Sequence, residues 1–159
     1  MRFAGNVIWF VLGGAVTGLI WLIGAAVFAL TIVGLPLTRA ALEMAKLSAF
    51  PFGQEIVHVR ELDGRRLDAG TAITGTVGFI FNVLWACTFG LALFFSYLVV
   101  GVLCCLTLIG IPFGIQAFKL AGLSLWPVGR RVVPIEVARE ARRRNASNIV
   151  DSVGRLAAR

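Results

Sequence analysis

The sequence predicts an all-α integral membrane protein built from two tandem repeats. Charged residues are absent from residues 3–38 and again from residues 69–118, windows of 36 and 50 residues. A membrane-spanning helix needs only about 20 apolar residues, and 58% of the chain is hydrophobic. A soluble core could not bury two such windows within 159 residues. The windows therefore indicate a membrane protein, and an internal similarity indicates the repeats.

The similarity runs at one fixed offset of 76 residues, without any gap. An Asn-Val-x-Trp block at 6–9 returns at 82–85, and a Gly-x-Pro break at 34–36 returns at 110–112. An aromatic-Pro-x-Gly block at 50–53 returns at 126–129. Three blocks in one register indicate two copies of one unit of roughly 50 residues.

The apolar part of each repeat is predicted to form a transmembrane hairpin. A single helix of 36 residues would be about 54 Å long, against a hydrocarbon core of about 30 Å. A full first helix and a shorter second one fit better, with turning points near Gly24 and Gly101. The alternative is one crossing per repeat, which would make the repeats inverted instead of parallel.

Charge distribution favours two crossings per repeat. That topology places the N-terminus, the central polar segment and the basic tail on the cytoplasmic side, together with every Lys and Arg. A cleaved signal peptide is the competing interpretation of the N-terminus. It fits poorly because the first apolar run is about twice the usual 7–15-residue hydrophobic region.

A short interfacial amphipathic helix is predicted after each Gly-x-Pro break, because proline ends or kinks a helix. In the stretch 38–50, Arg39, Glu43 and Lys46 share one side. The equivalent stretch is 114–126. The predicted division of the chain is a first repeat (2–57), a polar cytoplasmic linker (58–77), a second repeat (78–133) and a basic cytoplasmic tail (134–159).

The motifs of the second repeat resemble a known bacterial family. Gly-Ile-Pro-Phe-Gly at 110–114, Phe-Lys-Leu-Ala at 118–121 and Leu-Trp-Pro-Val-Gly-Arg-Arg-Val-Val at 125–133 are similar to the signature of the YccF-type inner membrane component domain. The first repeat carries a weaker copy, and two tandem copies are the arrangement of that family. The resemblance covers nearly all of residues 2–145. It implies a small multi-pass protein of the bacterial inner membrane and implies little about its activity.

Neither apolar window contains an ionisable Asp, Glu, Lys or Arg. Such residues usually mark proton relays and ion-coupled transport, so a proton-driven pump is not expected. An enzyme is not expected either, since no acid, base and nucleophile cluster. Cys87, Cys104 and Cys105 lack metal-ligand spacing with His or acidic residues, so neither a metal nor a cofactor is predicted.

The leading functional hypothesis is a homo-oligomeric passive pore, since so small a chain cannot enclose a conduction path alone. Interrupted helices at matching repeat positions free backbone groups that bind ions or solutes. The alternative is that each break only turns the chain and that each asparagine caps a helix. The candidate pore or solute residues are Asn6, Gly34, Pro36, Asn82, Gly110, Pro112 and Gly114.

The second hypothesis is a structural or accessory subunit that docks a cytoplasmic partner or anionic lipid through its basic tail. Juxtamembrane basic residues attract anionic lipid by about 1 kcal/mol per charge, or they only set the topology. Nucleic acid is not an expected partner, because the cluster is short and lacks an aromatic platform. The candidate residues are Lys119, Arg130, Arg131, Arg142, Arg143 and Arg144.

Overall fold

The computed structural model describes residues 2–31, 34–63 and 69–157 and is mostly helical. The first repeat comprises α1 (Arg2–Trp9), a π-helical segment (Phe10–Gly14), α2 (Ala15–Ala29), α3 (Leu35–Ala49) and β1 (Gln54–His58). The short helix α4 (Val59–Asp63) follows. The second repeat comprises α5 (Ala69–Trp85), a π-helical segment (Ala86–Gly90), α6 (Leu91–Cys105), α7 (Ile111–Leu125) and β2 (Arg130–Pro134), and α8 (Ile135–Ala157) comes last.

Each repeat contains one long apolar helix. The first runs from Arg2 to Ala29 and the second includes Gly75–Cys105, and both are long and apolar enough to cross a membrane. The predicted turns at Gly24 and Gly101 are wrong, because both glycines lie inside helices, in α2 and α6. One glycine costs a helix only about 1 kcal/mol, which a long apolar helix tolerates.

The chain turns at the Gly-x-Pro breaks instead. Gly34 N–H donates to the Thr31 carbonyl at 3.1 Å, and Gly110 N–H donates to the Thr107 carbonyl at 3.0 Å. Beyond the turns, α3 packs along α2 and α7 along α6, with the chain direction reversed. In each repeat the shorter helix, which the sequence placed at the membrane interface, therefore runs back along the long helix. We call this helix pair the hairpin of the repeat, and its predicted placement in the membrane stays a prediction.

The π-helical segments occur at equivalent positions of the two repeats and make room for a tryptophan. A Cβ on Gly14 would lie 2.8 Å from the Trp9 indole nitrogen, and one on Gly90 would lie 3.2 Å from that of Trp85. Each indole therefore lies across the glycine of its own helix. This placement directs the indole N–H toward the second arm of the hairpin.

The buried core lies where the two repeats meet, not inside the long helices. Its centre consists of Met44 and Leu47 from α3, Leu120 and Leu123 from α7, and Val132 from β2. The long helices instead expose most of their large apolar side chains. That distribution suits a protein whose outer surface faces lipid.

The strands show that the all-α prediction was incomplete. β1 pairs antiparallel with β2, and Ile56 lies opposite Val132, which is its own equivalent at the offset of 76. The linker expected from residue 58 begins in the structure as the last residue of β1 and as α4. Residues 64–68 of that linker lie outside the described residues. The four-part division of the chain stays a prediction.

Candidate functional site

Asn6 and Asn82 hold the polar ends of the two hairpins closed. The Asn6 amide donates to the Phe52 carbonyl at 3.0 Å and accepts from the Phe52 N–H at 2.9 Å. Asn82 makes the same two bonds with Val128, at 3.0 and 2.9 Å. Each asparagine amide thus donates to the carbonyl and accepts from the N–H of a single residue, as a backbone peptide group does in a β-sheet. These bonds occupy the amide groups that the pore hypothesis assigned to solute.

The tryptophans and the last glycines complete this closure. Trp9 donates its indole N–H to the Ser48 carbonyl at 2.7 Å, and Trp85 donates to Ser124 at the same distance. These carbonyls belong to the last turns of α3 and α7, where helical partners are missing. The glycines of the aromatic-Pro-x-Gly blocks, at 53 and 129, have φ values of 86° and 89°. Glycine adopts this left-handed conformation without steric cost.

The Gly-x-Pro residues lie at the opposite end of the hairpins. Pro36 and Pro112 occupy the first turns of α3 and α7, where a missing N–H costs nothing. The Gly34 carbonyl accepts the Thr38 N–H at 2.8 Å, and Gly110 accepts that of Gly114 at 2.8 Å. The carbonyls at the breaks therefore serve the helices that follow them.

The candidate pore residues are consequently not brought together. The first long helix continues from Asn6 to its end at Ala29, which is about 35 Å at 1.5 Å per residue, before the chain reaches Gly34. Gly114 has a packing position: a Cβ there would lie 2.7 Å from the Gly101 carbonyl oxygen. It allows α7 to approach α6 closely. Whether any of these residues contacts a solute in an assembly stays a prediction.

Glu43 is the most buried charged side chain of the described region, at 2% exposure. Its carboxylate accepts the Val132 N–H at 2.7 Å and pairs with Arg131 at 3.1 Å. Lys46, one turn along α3, adds a third partner at 3.1 Å. The sequence pattern placed Glu43 on the polar side of its helix. The structure instead turns it toward β2, because the strand brings a backbone donor and a cation to it.

Lys119, which is equivalent to Glu43 at the offset of 76, also contacts the other repeat. Its ammonium group donates to the Gln54 carbonyl at 3.1 Å, and Glu55 acts on it electrostatically. Lys119 and Arg131, both predicted for anionic lipid or a partner, are thus engaged between the repeats. Each reaches from one repeat to a residue of the other.

The first half of α8 is held against β1 and α4. Ala138 is fully buried, and Arg142 pairs with Glu55 at 2.6 Å and with Glu61 at 3.6 Å. The Asn145 amide donates to the Glu61 carbonyl at 2.9 Å. An ion pair between Arg2 and Glu136 adds the start of the first long helix. The start of the chain and the start of α8 therefore both lie at the polar end of the hairpins.

The remaining basic candidates differ in their surroundings. Arg130 is half-buried on β2. The pKa of His58 is lowered by partial burial first, then by the charges of Arg60 and Arg130. Arg144 is exposed and pairs with Glu140 within α8 at 3.0 Å. Arg143 is exposed, and no ion pair joins it to another residue of the described ranges. Its charge is therefore accessible to a second molecule.

A cleft of about 580 Å³ lies between α4 and the exposed side of α8. Its charged lining consists of Glu61, Glu136, Glu140 and Arg144. No three His, Cys, Asp or Glu side chains come together as a metal site anywhere in the described part of the chain. The cleft is therefore a polar surface feature without an identified ligand.

Sequence reasoning missed Glu43 as a functional residue, although the repeat alignment contains the signal. At the offset of 76, Glu43 aligns with Lys119 and Glu55 aligns with Arg131. At these two positions an acid in the first repeat is exchanged for a base in the second, which is the pattern expected of positions that lie close together across the two repeats. Hydropathy alone could not show this, because it treats Glu and Lys alike.

Comparison with known proteins agrees with this repeat structure. The family model of the inner membrane component domain, YccF, matches residues 4–54 and 80–130. The chain is 44% identical over 147 residues to the inner membrane protein YccF of Escherichia coli K12, covering 92% of this chain and 97% of that protein. The Shigella flexneri protein of the same name matches to the same extent. No solved structure matches the chain.

Proposed function

The chain belongs to the YccF-type inner membrane component domain family, and we propose that it is an accessory subunit that docks a cytoplasmic partner through α8. It is a protein of the bacterial inner membrane. In this proposal the two hairpins are the membrane anchor. The strands β1 and β2 and the short helix α4 hold α8 at the cytoplasmic face, which is the side favoured by the positive-inside rule.

The observation that carries the proposal is the contrast between the two halves of α8. The helix is 23 residues long, or about 35 Å. Its first half is attached to α4 and to the ribbon, as we name the paired strands β1 and β2, through Ala138, Arg142 and Asn145. From Ile149 onward, every side chain whose burial is described is exposed. A helix clamped at one end and exposed at the other can present a surface to a second molecule.

The exposed half is amphipathic. Ile149, Val150 and Val153 are 62%, 69% and 58% exposed, and their spacing places them on one side of the helix. Asp151 and Arg155 lie on the other side. An apolar stripe of this spacing is the pattern by which helices enter hydrophobic grooves of partner proteins. The proposed partner therefore offers an apolar groove, with acidic residues toward Arg143.

Site-specific photocrosslinking in cells tests the proposal on the full-length protein. A photoreactive residue at Val150 is expected to give one discrete protein adduct, whereas one at Asp151, on the opposite side, gives none. Val153→Glu in the same chain is expected to remove the adduct, and Asn148→Glu, a matched charge away from the stripe, is expected to keep it. Equal labelling from both positions contradicts docking through the stripe.

Anionic lipid is the other ligand class that the basic tail suits, and the same variants distinguish it. Binding of purified protein to a lipid surface is expected to depend on Arg143 and on salt. Docking of a protein groove depends on Val153. If the Val150 adducts are lipids and no protein is attached, the protein-docking proposal fails.

The pore remains a second prediction, with less support than docking. The main argument for a pore was that the two helix breaks free backbone carbonyls for ions or solutes. In the structure the carbonyls of Gly34 and Gly110 accept hydrogen bonds from the first turns of α3 and α7. Ion flux through liposomes that contain the purified protein tests it directly. A chain shortened after Pro134 is expected to conduct like the full chain if it forms a pore. Flux equal to that of empty liposomes removes the pore hypothesis.

A further inference from the structure

The two repeats meet across a local two-fold axis. In the ribbon, Ile56 lies opposite Val132, its own equivalent. In the membrane part, the Trp21 indole N–H donates to the Tyr97 hydroxyl at 3.3 Å, and these residues are also 76 apart. Equivalent residues facing each other are the mark of an isologous interface. The repeats therefore pair as the two halves of a dimer would.

One set of polar contacts breaks this symmetry by reversing its charges. In one half, the acid Glu43 on α3 faces the base Arg131 on β2. In the other half, the base Lys119 on α7 donates to the carbonyl of Gln54 on β1, the residue next to the acid Glu55. Residues 43 and 119 are equivalent, as are 55 and 131. The signs are exchanged at both positions, although the bonds differ: Glu43 and Arg131 form an ion pair, whereas Lys119 bonds to the backbone beside Glu55.

The exchange decides which repeats are compatible. Two first repeats paired in this way would bring Glu43 against Glu55 of the other copy. Two second repeats would bring Lys119 against Arg131. Like charges at a site where Glu43 is only 2% exposed repel strongly, since little water screens them. Only a first repeat against a second repeat brings opposite charges together in both halves.

We propose that residues 43, 55, 119 and 131 form a charge lock that makes the repeat surface selective for the complementary repeat. The partner of the first-repeat surface is a second-repeat surface, normally that of the same chain. Homotypic pairing between copies is blocked by repulsion, which is specificity through an unfavourable alternative. Copies of the protein that assemble must therefore use other surfaces or exchange whole repeats.

Disulfide trapping on the full-length chain in native membranes reads the pairing directly, with Cys87, Cys104 and Cys105 replaced by alanine. The backbone N–H of Val132 donates to Glu43, so this N–H group points away from β1. Ile56 and Val132 then form a non-hydrogen-bonded pair, whose Cβ atoms lie about 4.5–5.5 Å apart. Ile56→Cys with Val132→Cys reports pairing within the chain. Ile56→Cys alone reports pairing of two first repeats, since residue 56 lies on the symmetry axis.

The decisive variant is Glu43→Lys with Lys119→Glu. It makes each repeat complementary to itself and sets like charges between unlike repeats. The disulfide that joins position 56 of two chains, in the Ile56→Cys background, is expected to rise about tenfold over the chain with the native charges. The disulfide between positions 56 and 132 is expected to fall by a similar factor. Unchanged yields of both disulfides overturn the proposal.

A charge swap keeps the test decisive if that variant fails to fold. Glu43→Lys alone sets a positive charge against Arg131 and is expected to reduce the disulfide between positions 56 and 132 about tenfold. Adding Arg131→Glu restores the opposite signs and is expected to recover most of it. If the swap yields no more of this disulfide than Glu43→Lys alone, charge does not select the pairing and the lock is excluded.

Discussion

The two repeats use the same bonds in different surroundings. The paired hydrogen bonds of Asn6 with Phe52 and of Asn82 with Val128, which we call the asparagine clamps, have equal lengths. Asn82 is nevertheless 2% exposed, whereas Asn6 is half-buried. Trp85 is likewise buried at 6%, with the ring of Trp21 packed against it at 6.1 Å between centroids. The comparison teaches that the repeated motif fixes the geometry, while the neighbouring repeat sets how much each bond contributes to stability.

The largest asymmetry is expected at the charge-reversed contacts. Arg131→Met removes the guanidinium partner of the buried Glu43 carboxylate while Lys46 remains at 3.1 Å, so the expected cost is about 3 kcal/mol, the lower end for breaking a buried pair. Glu55→Gln removes the equivalent residue of the first repeat. It is expected to cost about 1 kcal/mol, since Glu55 is 30% exposed and water can replace part of its interactions. The free energy of unfolding in mild detergent measures both changes.

The double variant Glu43→Gln with Arg131→Met is the control for this comparison. It removes the charge together with its partner, so it is expected to cost less than Arg131→Met alone. Equal losses for Arg131→Met and Glu55→Gln would show that burial does not differentiate the two contacts.

A smaller asymmetry is expected between the asparagine clamps. Asn82→Ala leaves the backbone N–H and C=O of Val128 unpaired at a site where Asn82 itself is 2% exposed, and is expected to cost about 2 kcal/mol. Asn6→Ala exposes the same groups of Phe52 to partial solvent and is expected to cost about 1 kcal/mol. Thermal unfolding of the two purified variants, side by side, measures the difference. A larger loss for Asn6→Ala would reverse the assignment of the second repeat as the more buried one.

The smallest effect concerns His58, whose equivalent in the second repeat is Pro134 and cannot titrate. Partial burial and the neighbouring Arg60 and Arg130 lower the pKa of His58 below 6.5. The unfolded chain then binds the proton more readily, so His58 stabilises the fold above its ordinary pKa and this stabilisation is lost as the pH falls through that value. NMR titration is expected to place the His58 midpoint below 6.5, and His58→Gln should make stability flatter between pH 7 and 5.

The sequence placed the turn of each repeat inside the apolar run, and that position is wrong. Both Gly24 and the Gly34–Pro36 break were visible in the sequence, and the length of the apolar run favoured a turn inside it. Proline at 36 removes a backbone donor, whereas Gly24 only adds freedom, and α2 runs through it. The strands could not be expected either. Residues 54–58 gain strand structure only because residues 130–134 lie beside them, and hydropathy contains no such information.

Sequence by itself determined the class of the molecule: a membrane protein of two copies, with matching motifs and helix breaks at one offset. These features follow from local chemistry, since apolar length, proline and glycine act through neighbouring residues. Only the tertiary structure decided that Glu43 is buried, that Lys119 and Arg131 bind between repeats, and that half of α8 remains exposed. The reason is physical: what a charge does depends on the charge and the backbone group that face it, and those come from the other repeat.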